Sequence, residues 1–117
     1  MELPDLVHAI LSGNLLVARQ WVADARRSHL QWAACSRPLG LDEREMAVAA
    51  GLAELLAARA GTAAPSWTAA VGASNEPLFL DPGLQAMPRS LERSKTHAPE
   101  ALRRRNLYAL PDFLDVR

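Results

Sequence analysis

The sequence has too few cysteines for covalent or metal cross-linking. Its single cysteine, Cys35, excludes an internal disulfide and leaves too few thiols for a cysteine-based zinc site. An excess of charge of one sign is also missing, because 13 lysine and arginine residues balance 13 aspartate and glutamate residues. No global field therefore draws the chain to nucleic acid or to an anionic membrane, and any electrostatic recognition has to be local.

Long apolar runs are absent as well. The most apolar stretch, residues 46–60, reads MAVAAGLAELLAARA and is interrupted by Glu54 and Arg59. It is shorter than the roughly 20 apolar residues of a membrane span. The first ten residues, MELPDLVHAI, lack the positive flank and apolar core of a signal peptide. These features predict a cytoplasmic protein with no membrane partner.

Aromatic residues are scarce, with two phenylalanines and one tyrosine beside three tryptophans. Alanine and leucine dominate the hydrophobic half of the composition instead, and this bias favours helices over strands. The length of 117 residues fits one folding unit. We therefore predict a single all-α domain over residues 1–117.

Three amphipathic patterns in the first half predict helices at residues 4–12, 15–28 and 43–60. Gly13 is suited to the left-handed exit of the first helix, and Asn14 is suited to cap the second. Residues 1–61 are thus predicted to form a core of three packed helices.

The third of these helices has the strongest boundary signals. Asp42 followed three residues later by Glu45 predicts a capping box, and Gly61 is placed to end the helix. Gly51 interrupts an alanine-rich stripe, which predicts close packing of a neighbouring element against this point.

The second half, residues 62–117, is segmented by prolines and predicted to be irregular and only partly helical. PSWTAAV predicts a brief helix capped by Ser66, and EPLFLDPG predicts a short extended piece ended by a Pro-Gly turn. MPRSLERSK and PEALRRRN predict helical turns begun by Pro88 and Pro99. Because short helices are marginal in water, this half either wraps over the core or orders against a partner.

Motifs of catalysis and metal binding are missing. His8, His29 and His97 are far apart in the sequence, and no glycine-rich phosphate loop follows a predicted strand. Cys35 and Ser66 lack the sequence context of an activated nucleophile. The sequence therefore predicts no catalytic, cofactor-binding or metal-binding residue, and a protein that is not an enzyme.

One local charge anomaly lies between residues 89 and 106, where six lysine or arginine residues outnumber two glutamates. Arg103, Arg104 and Arg105 fan around a helix, because successive residues point about 100° apart. Glu100 precedes the first two at the spacing of local ion pairs. Three interpretations stay open: the arginines end a helix, they bind an acidic protein partner, or the patch at residues 89–105 binds nucleic acid, as in a transcriptional regulator.

Aromatic and apolar residues near the arginines are the other candidates for recognition. Trp67 is either a core residue or an interface anchor, and the residues after Asn106 anchor the tail on the domain itself or on a partner. The candidate partner-binding residues are Trp67, Arg103, Arg104, Arg105, Asn106, Tyr108 and Phe113.

Two stretches, APSWTAAVG and PEALRRRNLYALPDFLD, resemble small orphan antitoxin-like proteins of high-GC bacteria that are encoded beside nucleotidyltransferase-type toxins. They are also similar to the C-terminal part of larger regulators that carry a helix-turn-helix. The similarity runs loosely over residues 43–115 and is tightest at Pro65, Trp67, Thr68, Leu102, Arg103, Arg104, Arg105 and Asn106. It implies an antitoxin or accessory partner that binds the neighbouring enzyme. The chain departs from the regulators because residues 1–40 carry no recognition helix.

Overall fold

The computed structural model describes residues 2–81 and 84–114, and the fold is all-α, as predicted. The α-helices are α1 (Leu3–Leu11), α2 (Leu15–Arg27), α3 (Glu43–Arg59), α4 (Pro88–His97) and α5 (Glu100–Arg103). Three 3-10 helices (Trp32–Ala34, Ser66–Ala70, Leu84–Ala86) and two short strands, β1 (Leu78–Phe79) and β2 (Leu107–Tyr108), complete the order. In this part of the chain no helix is long and apolar enough to cross a lipid bilayer.

The three helices of the first half begin and end within one residue of the predicted positions. Gly13 and Gly61 adopt left-handed conformations, with φ of 78° and 72°, directly after the ends of α1 and α3. Asn14 caps α2 by accepting a hydrogen bond from the Val17 N–H at 3.3 Å. These boundaries follow from local side-chain chemistry, which is why the sequence reveals them.

Helix α3 is the centre of the domain. Its capping box forms as predicted, with the Glu45 N–H donating to Asp42 at 2.8 Å and the Asp42 N–H donating to Glu45 at 3.1 Å. Residues 46–53 are all buried, so α3 is covered on every side along its middle turns. Helix α1 packs against it, and so do α5 and the Ser66–Ala70 turn from the second half.

The closest approach to α3 occurs at Gly51. A Cβ atom added there would lie 2.9 Å from Leu107 Cδ1 and 3.1 Å from Leu102 Cδ2. Both leucine side chains are fully buried. The predicted packing role of Gly51 is confirmed, since a larger residue would force the side chains of Leu102 and Leu107 to shift in a closely packed core.

The second half docks on the helical core instead of standing apart from it. Leu78 and Phe79 of β1 pair in parallel with Leu107 and Tyr108 of β2. The Leu80 N–H extends the pairing by donating to the Tyr108 carbonyl at 2.9 Å. The turn predicted after β1, at Pro82 and Gly83, lies outside the described residues.

Two details of the second half differ from the prediction. PSWTAAV forms a 3-10 helix in which Pro65, not Ser66, occupies the capping position, and no side chain caps it. The segment that begins at Pro88 is a helix of ten residues, α4, and not a single turn. Pro88 starts α4 because a fixed φ is compatible with a first helical residue and the missing N–H is not needed there.

Replacing Gly51 by valine should lower the free energy of unfolding by about 1–3 kcal/mol, because the side chain overpacks the contact with Leu102 and Leu107. Urea denaturation followed by circular dichroism measures the change. Ala58→Val is the matched control, since Ala58 is exposed on the same helix. It should cost about 0.5 kcal/mol or less. Equal losses in the two variants would contradict the role assigned to Gly51.

Candidate partner-binding site around Glu54

Arg105 is a buried residue that ties the second half to α3. Its side chain is 6% exposed, and its Nη1 donates to the carboxylate of Glu54. Its Nη2 donates to the Thr68 carbonyl at 2.7 Å. One guanidinium thus joins α3, the Ser66–Ala70 turn and the end of α5, which are distant in sequence. Forked donation of this kind is a property of arginine that lysine lacks.

Glu54 is the acceptor at the centre of this cluster. Its carboxylate also accepts a hydrogen bond from Arg104 Nη2 at 2.8 Å, and the Thr68 hydroxyl lies 3.1 Å from its second oxygen. Burial alone would raise the pKa of the Glu54 carboxyl. The hydrogen bond from Arg104, the charge of Arg105 and the further hydrogen bonds outweigh burial, so this pKa lies below its ordinary value of 4.5. Glu54 is therefore ionised at neutral pH.

The three adjacent arginines have different environments. Arg105 is buried, whereas the Arg104 side chain is 53% exposed although it contacts Glu54. Arg103 is exposed, and its Nη1 donates to the Thr96 carbonyl at the end of α4 at 3.3 Å. The predicted fan is thus present, and each arginine meets a different surface.

The ion pairs predicted between Glu100 and the arginines are not formed. Within residues 2–81 and 84–114, no salt bridge joins Glu100 to Arg103 or Arg104. Helix α5 ends at Arg103, and Arg104 turns toward α3. A pair between Glu100 and Arg104 would need the helix to continue through Arg104. Arg104 instead contacts the carboxylate of Glu54, which is distant in the sequence.

Asn106 reverses the chain between α5 and β2. Its φ of 62° is left-handed, a conformation in which asparagine is enriched among non-glycine residues. Its side-chain amide donates to the Ser74 carbonyl at 3.2 Å, and the Ser74 N–H donates to the Arg105 carbonyl at 3.0 Å. Asn106 therefore holds the connector after the Ser66–Ala70 turn beside the arginines.

Trp67 and Tyr108 are partly buried, and Phe113 is buried. The Trp67 indole N–H donates to the Cys35 carbonyl at 3.0 Å. The Tyr108 ring stacks on Phe79 with 5.6 Å between centroids. Phe113 is 3% exposed within the core, so the tail anchors on its own domain, one of the two alternatives left open by the sequence. In the folded chain, a partner can reach Arg103, Arg104 and parts of Trp67, Asn106 and Tyr108, whereas Phe113 and Arg105 face the interior.

A cavity of about 340 Å³ opens beside the Glu54 cluster. Its walls are Glu54, Ala69, Val71, Gly72, Ala73, Arg104 and Arg105. The remaining lining residues, Ala69, Val71, Gly72 and Ala73, have small or apolar side chains. The cavity therefore combines two guanidinium groups, one carboxylate and an open wall.

A larger cavity of about 710 Å³ lies between the end of α2, the end of α3 and the tail. Arg59 at its wall donates to the Pro111 carbonyl at 3.1 Å and to the Phe113 carbonyl. Trp32, Leu56 and Leu114 add apolar surface. The residues lining it include none of the candidate partner-binding residues.

No described group of histidine, cysteine, aspartate and glutamate side chains has the geometry of a metal site. Burial raises the pKa of the Cys35 thiol, and the charge of Glu2 adds to this effect. A raised thiol pKa lowers the fraction of nucleophilic thiolate at neutral pH.

Helix α4 carries the exposed part of the basic segment. Arg89, Arg93 and Lys95 are exposed, whereas Ser94 is the buried residue of the helix. The Arg103 contact with Thr96 joins this helix to α5. Arg103 thus contacts the end of the helix that carries these exposed cations.

Glu54, the residue on which the cluster converges, is absent from the site residues predicted from the sequence. Its signal was present, because Glu54 is the acidic residue in an otherwise apolar stretch from residue 46 to residue 58. A charge at a core position requires a partner, and the arginines are the densest source of one. Ser74 and Gly72 carry no comparable signal, since the connector has no periodic pattern.

Comparisons with family models, curated protein sequences and solved structures found no match to this chain.

Replacing Arg105 by glutamine should lower the free energy of unfolding by about 3 kcal/mol, because a buried cation is removed from Glu54 and the link to Thr68 is lost. Arg103→Gln removes the same charge two residues earlier and should cost less than about 0.5 kcal/mol. Chemical denaturation of both variants at neutral pH measures the difference. Similar stabilities would show that Arg105 does not hold the two halves together.

The Glu54 cluster should also produce acid sensitivity. Because the folded-state pKa of Glu54 is lowered, its stabilising contribution is present above the pKa of the unfolded chain and is lost as pH falls through the folded-state pKa. Glu54→Gln should therefore be less stable than the parent at neutral pH, and the difference should shrink as pH falls below 4.5. Denaturation curves across this pH range test the expectation.

Glu92→Gln, at an exposed position of α4, is the control and should track the parent at every pH. A difference between Glu54→Gln and the parent that does not change with pH would rule out titration of Glu54 as its cause.

Proposed function

We propose that the chain is a non-enzymatic protein-interaction module that acts in the cytoplasm as the neutralising antitoxin, or an accessory partner, of a nucleotidyltransferase-type toxin. The proposal starts from the resemblance of two short stretches to antitoxin-like proteins. The structural support is that the two stretches contact each other in the folded chain.

The observation that carries the proposal is the hydrogen bond of 2.7 Å from Arg105 to the Thr68 carbonyl. Thr68 belongs to the first stretch and Arg105 to the second. Because Glu54 contacts both residues, the two stretches pack together although Thr68 and Arg105 lie 37 positions apart. A shared pattern split over such a distance is consistent with one binding surface.

The chemistry of this surface suits an acidic protein. Arg103 and Arg104 are adjacent in the sequence and both exposed, and arginine binds carboxylates through paired hydrogen bonds. Trp67 lies partly exposed in the same region as Thr68 and offers aromatic contact area. The surface therefore combines charge complementarity with an apolar anchor, as protein interfaces do.

The test is capture of the partner by tagged protein from native lysate, with identification by mass spectrometry. The parent should retain a nucleotidyltransferase-type protein, and its coexpression should relieve the growth arrest which that protein causes. The variant with Arg103 and Arg104 both changed to glutamine should fold, because Glu54 keeps its contact with Arg105, and it should lose both activities.

The matched control changes Arg37 and Arg44 to glutamine, since both are exposed elsewhere and the net charge changes equally. This control should retain the partner. Capture of a protein unrelated to nucleotide transfer, or equal loss in both variants, would contradict the proposal.

A second candidate function is favoured by the exposed cations of α4. Arg89, Arg93 and Lys95 can neutralise phosphates, as a nucleic-acid-associated regulator requires. In the same capture experiment, recovery of nucleic acid that is released steeply with salt would favour this candidate, because each phosphate contact adds about 0.9 to the slope of log affinity against log salt.

A further inference from the structure

The cavity beside Glu54 has an unbalanced charge. Arg104 and Arg105 contribute two positive charges to its walls, and Glu54, whose pKa is lowered, contributes one negative charge. One positive charge is left over. A cavity of this kind favours an anion, and a single negative charge balances it.

The cavity also has hydrogen-bond donors that lack acceptors. The Nε–H of Arg105 is buried and has no partner in the described residues, although both terminal nitrogens of this side chain are bonded. In the same part of the chain, no hydrogen bond is made by the backbone N–H of Gly72 or Ala73. The buried Nε–H of Arg105 costs free energy while it lacks an acceptor, whereas Gly72 and Ala73 are exposed, so their N–H groups are open to solvent or to an incoming acceptor.

Arg104 can turn to an incoming group while Arg105 keeps its contact with Glu54. Its side chain is 53% exposed, and the Glu54 oxygen that it contacts also accepts from Arg105. If Arg104 turns outward, Glu54 keeps Arg105 and the Thr68 hydroxyl. The cluster thus has one cation that holds the fold and one that is able to turn to a ligand.

We propose that this cavity is a receptor for one carboxylate group, supplied by an aspartate or glutamate side chain of a partner protein. Arg104 binds the carboxylate, and the donors at Arg105, Gly72 and Ala73 complete its hydrogen bonding. The protein source of the carboxylate rests on the proposed function, whereas the anion chemistry rests on the cavity alone.

A carboxylate fits this site better than a phosphate group does. A phosphate monoester carries about −1.5 to −2 charges at neutral pH, which exceeds the single positive charge left over. The excess would lie beside the ionised carboxylate of Glu54. A carboxylate instead brings the balance to zero and accepts the paired donation of Arg104.

In the test, a blocked tripeptide with one central glutamate is titrated into the full chain. Nuclear magnetic resonance then follows the chemical shifts of the backbone N–H and arginine Nε–H signals. The peptide should shift the signals of Gly72, Ala73 and Arg105 in a saturable way. The same peptide with glutamine should not shift them. Inorganic phosphate should bind more weakly than the glutamate peptide.

Two variants separate the site from general charge. Arg104→Gln should weaken the peptide by about tenfold or more, because a charge-assisted hydrogen bond is lost. Arg103→Gln has the same charge change, lies outside the cavity walls and should bind like the parent. Unchanged spectra of the remaining signals would show that both variants are folded.

Three results would overturn the inference: no saturable shift with the glutamate peptide, equal binding by Arg104→Gln, or tighter binding of phosphate. Each of these outcomes leaves the capture experiment unaffected, because a partner can bind the same face without filling the cavity. Conversely, peptide binding without capture of a nucleotidyltransferase-type protein would reject the proposed function and keep the carboxylate receptor.

Discussion

The ionised carboxylate of Glu54 is the constraint on which the rest of the structure depends. It sits on the central helix α3, which is otherwise apolar from residue 46 to residue 58. A charge in such a place destabilises the fold unless cations and hydrogen bonds surround it. The first half has no cation in contact with it in the described residues, so the neutralising groups come from Arg104 and Arg105, about fifty residues later. The second half is therefore a required part of the domain. Its prolines and short helices serve to bring two guanidinium groups and one threonine to a single point.

The arrangement of the three arginines follows from where α5 stops. The helix ends at Arg103, Asn106 takes a left-handed conformation, and β2 then returns along β1. Over these few residues the chain changes direction, so neighbouring side chains meet different surroundings. Arg103 meets α4, Arg104 meets the cavity mouth and Arg105 meets the interior. The sharp turn allows one short sequence to stabilise the domain through Arg105 and to leave Arg103 and Arg104 exposed.

The sequence predicted the first half closely and the second half only in outline. Asp42 with Glu45 and Asn14 with Val17 are contacts between residues three apart, and such contacts are encoded in local order. Gly51 was also predictable, because a glycine in an alanine stripe indicates close packing. Glu100 was wrongly expected to pair with the arginines, since local spacing gives no information about a competing carboxylate on another helix. Glu54 could have been predicted only from the requirement that a buried charge has a partner, because no spacing pattern in the sequence connects it to the arginines. The cavity was not predictable, because its wall is an irregular connector whose path is fixed by Asn106 and Ser74.

Two arginines share one oxygen of Glu54, so the contact that stabilises the fold is distinct from the one proposed to bind a ligand. If Glu54 were held by Arg104 alone, a ligand that drew this cation away would leave a buried charge without a partner, and binding would weaken the fold. Because Arg105 contacts the same oxygen and is buried, the fold keeps its ion pair when Arg104 turns outward. Position 104 is therefore less constrained by the fold than position 105, whose side chain is buried in the core. Two adjacent arginines of the same chemistry thus face opposite constraints, and the difference comes entirely from the direction in which the chain turns.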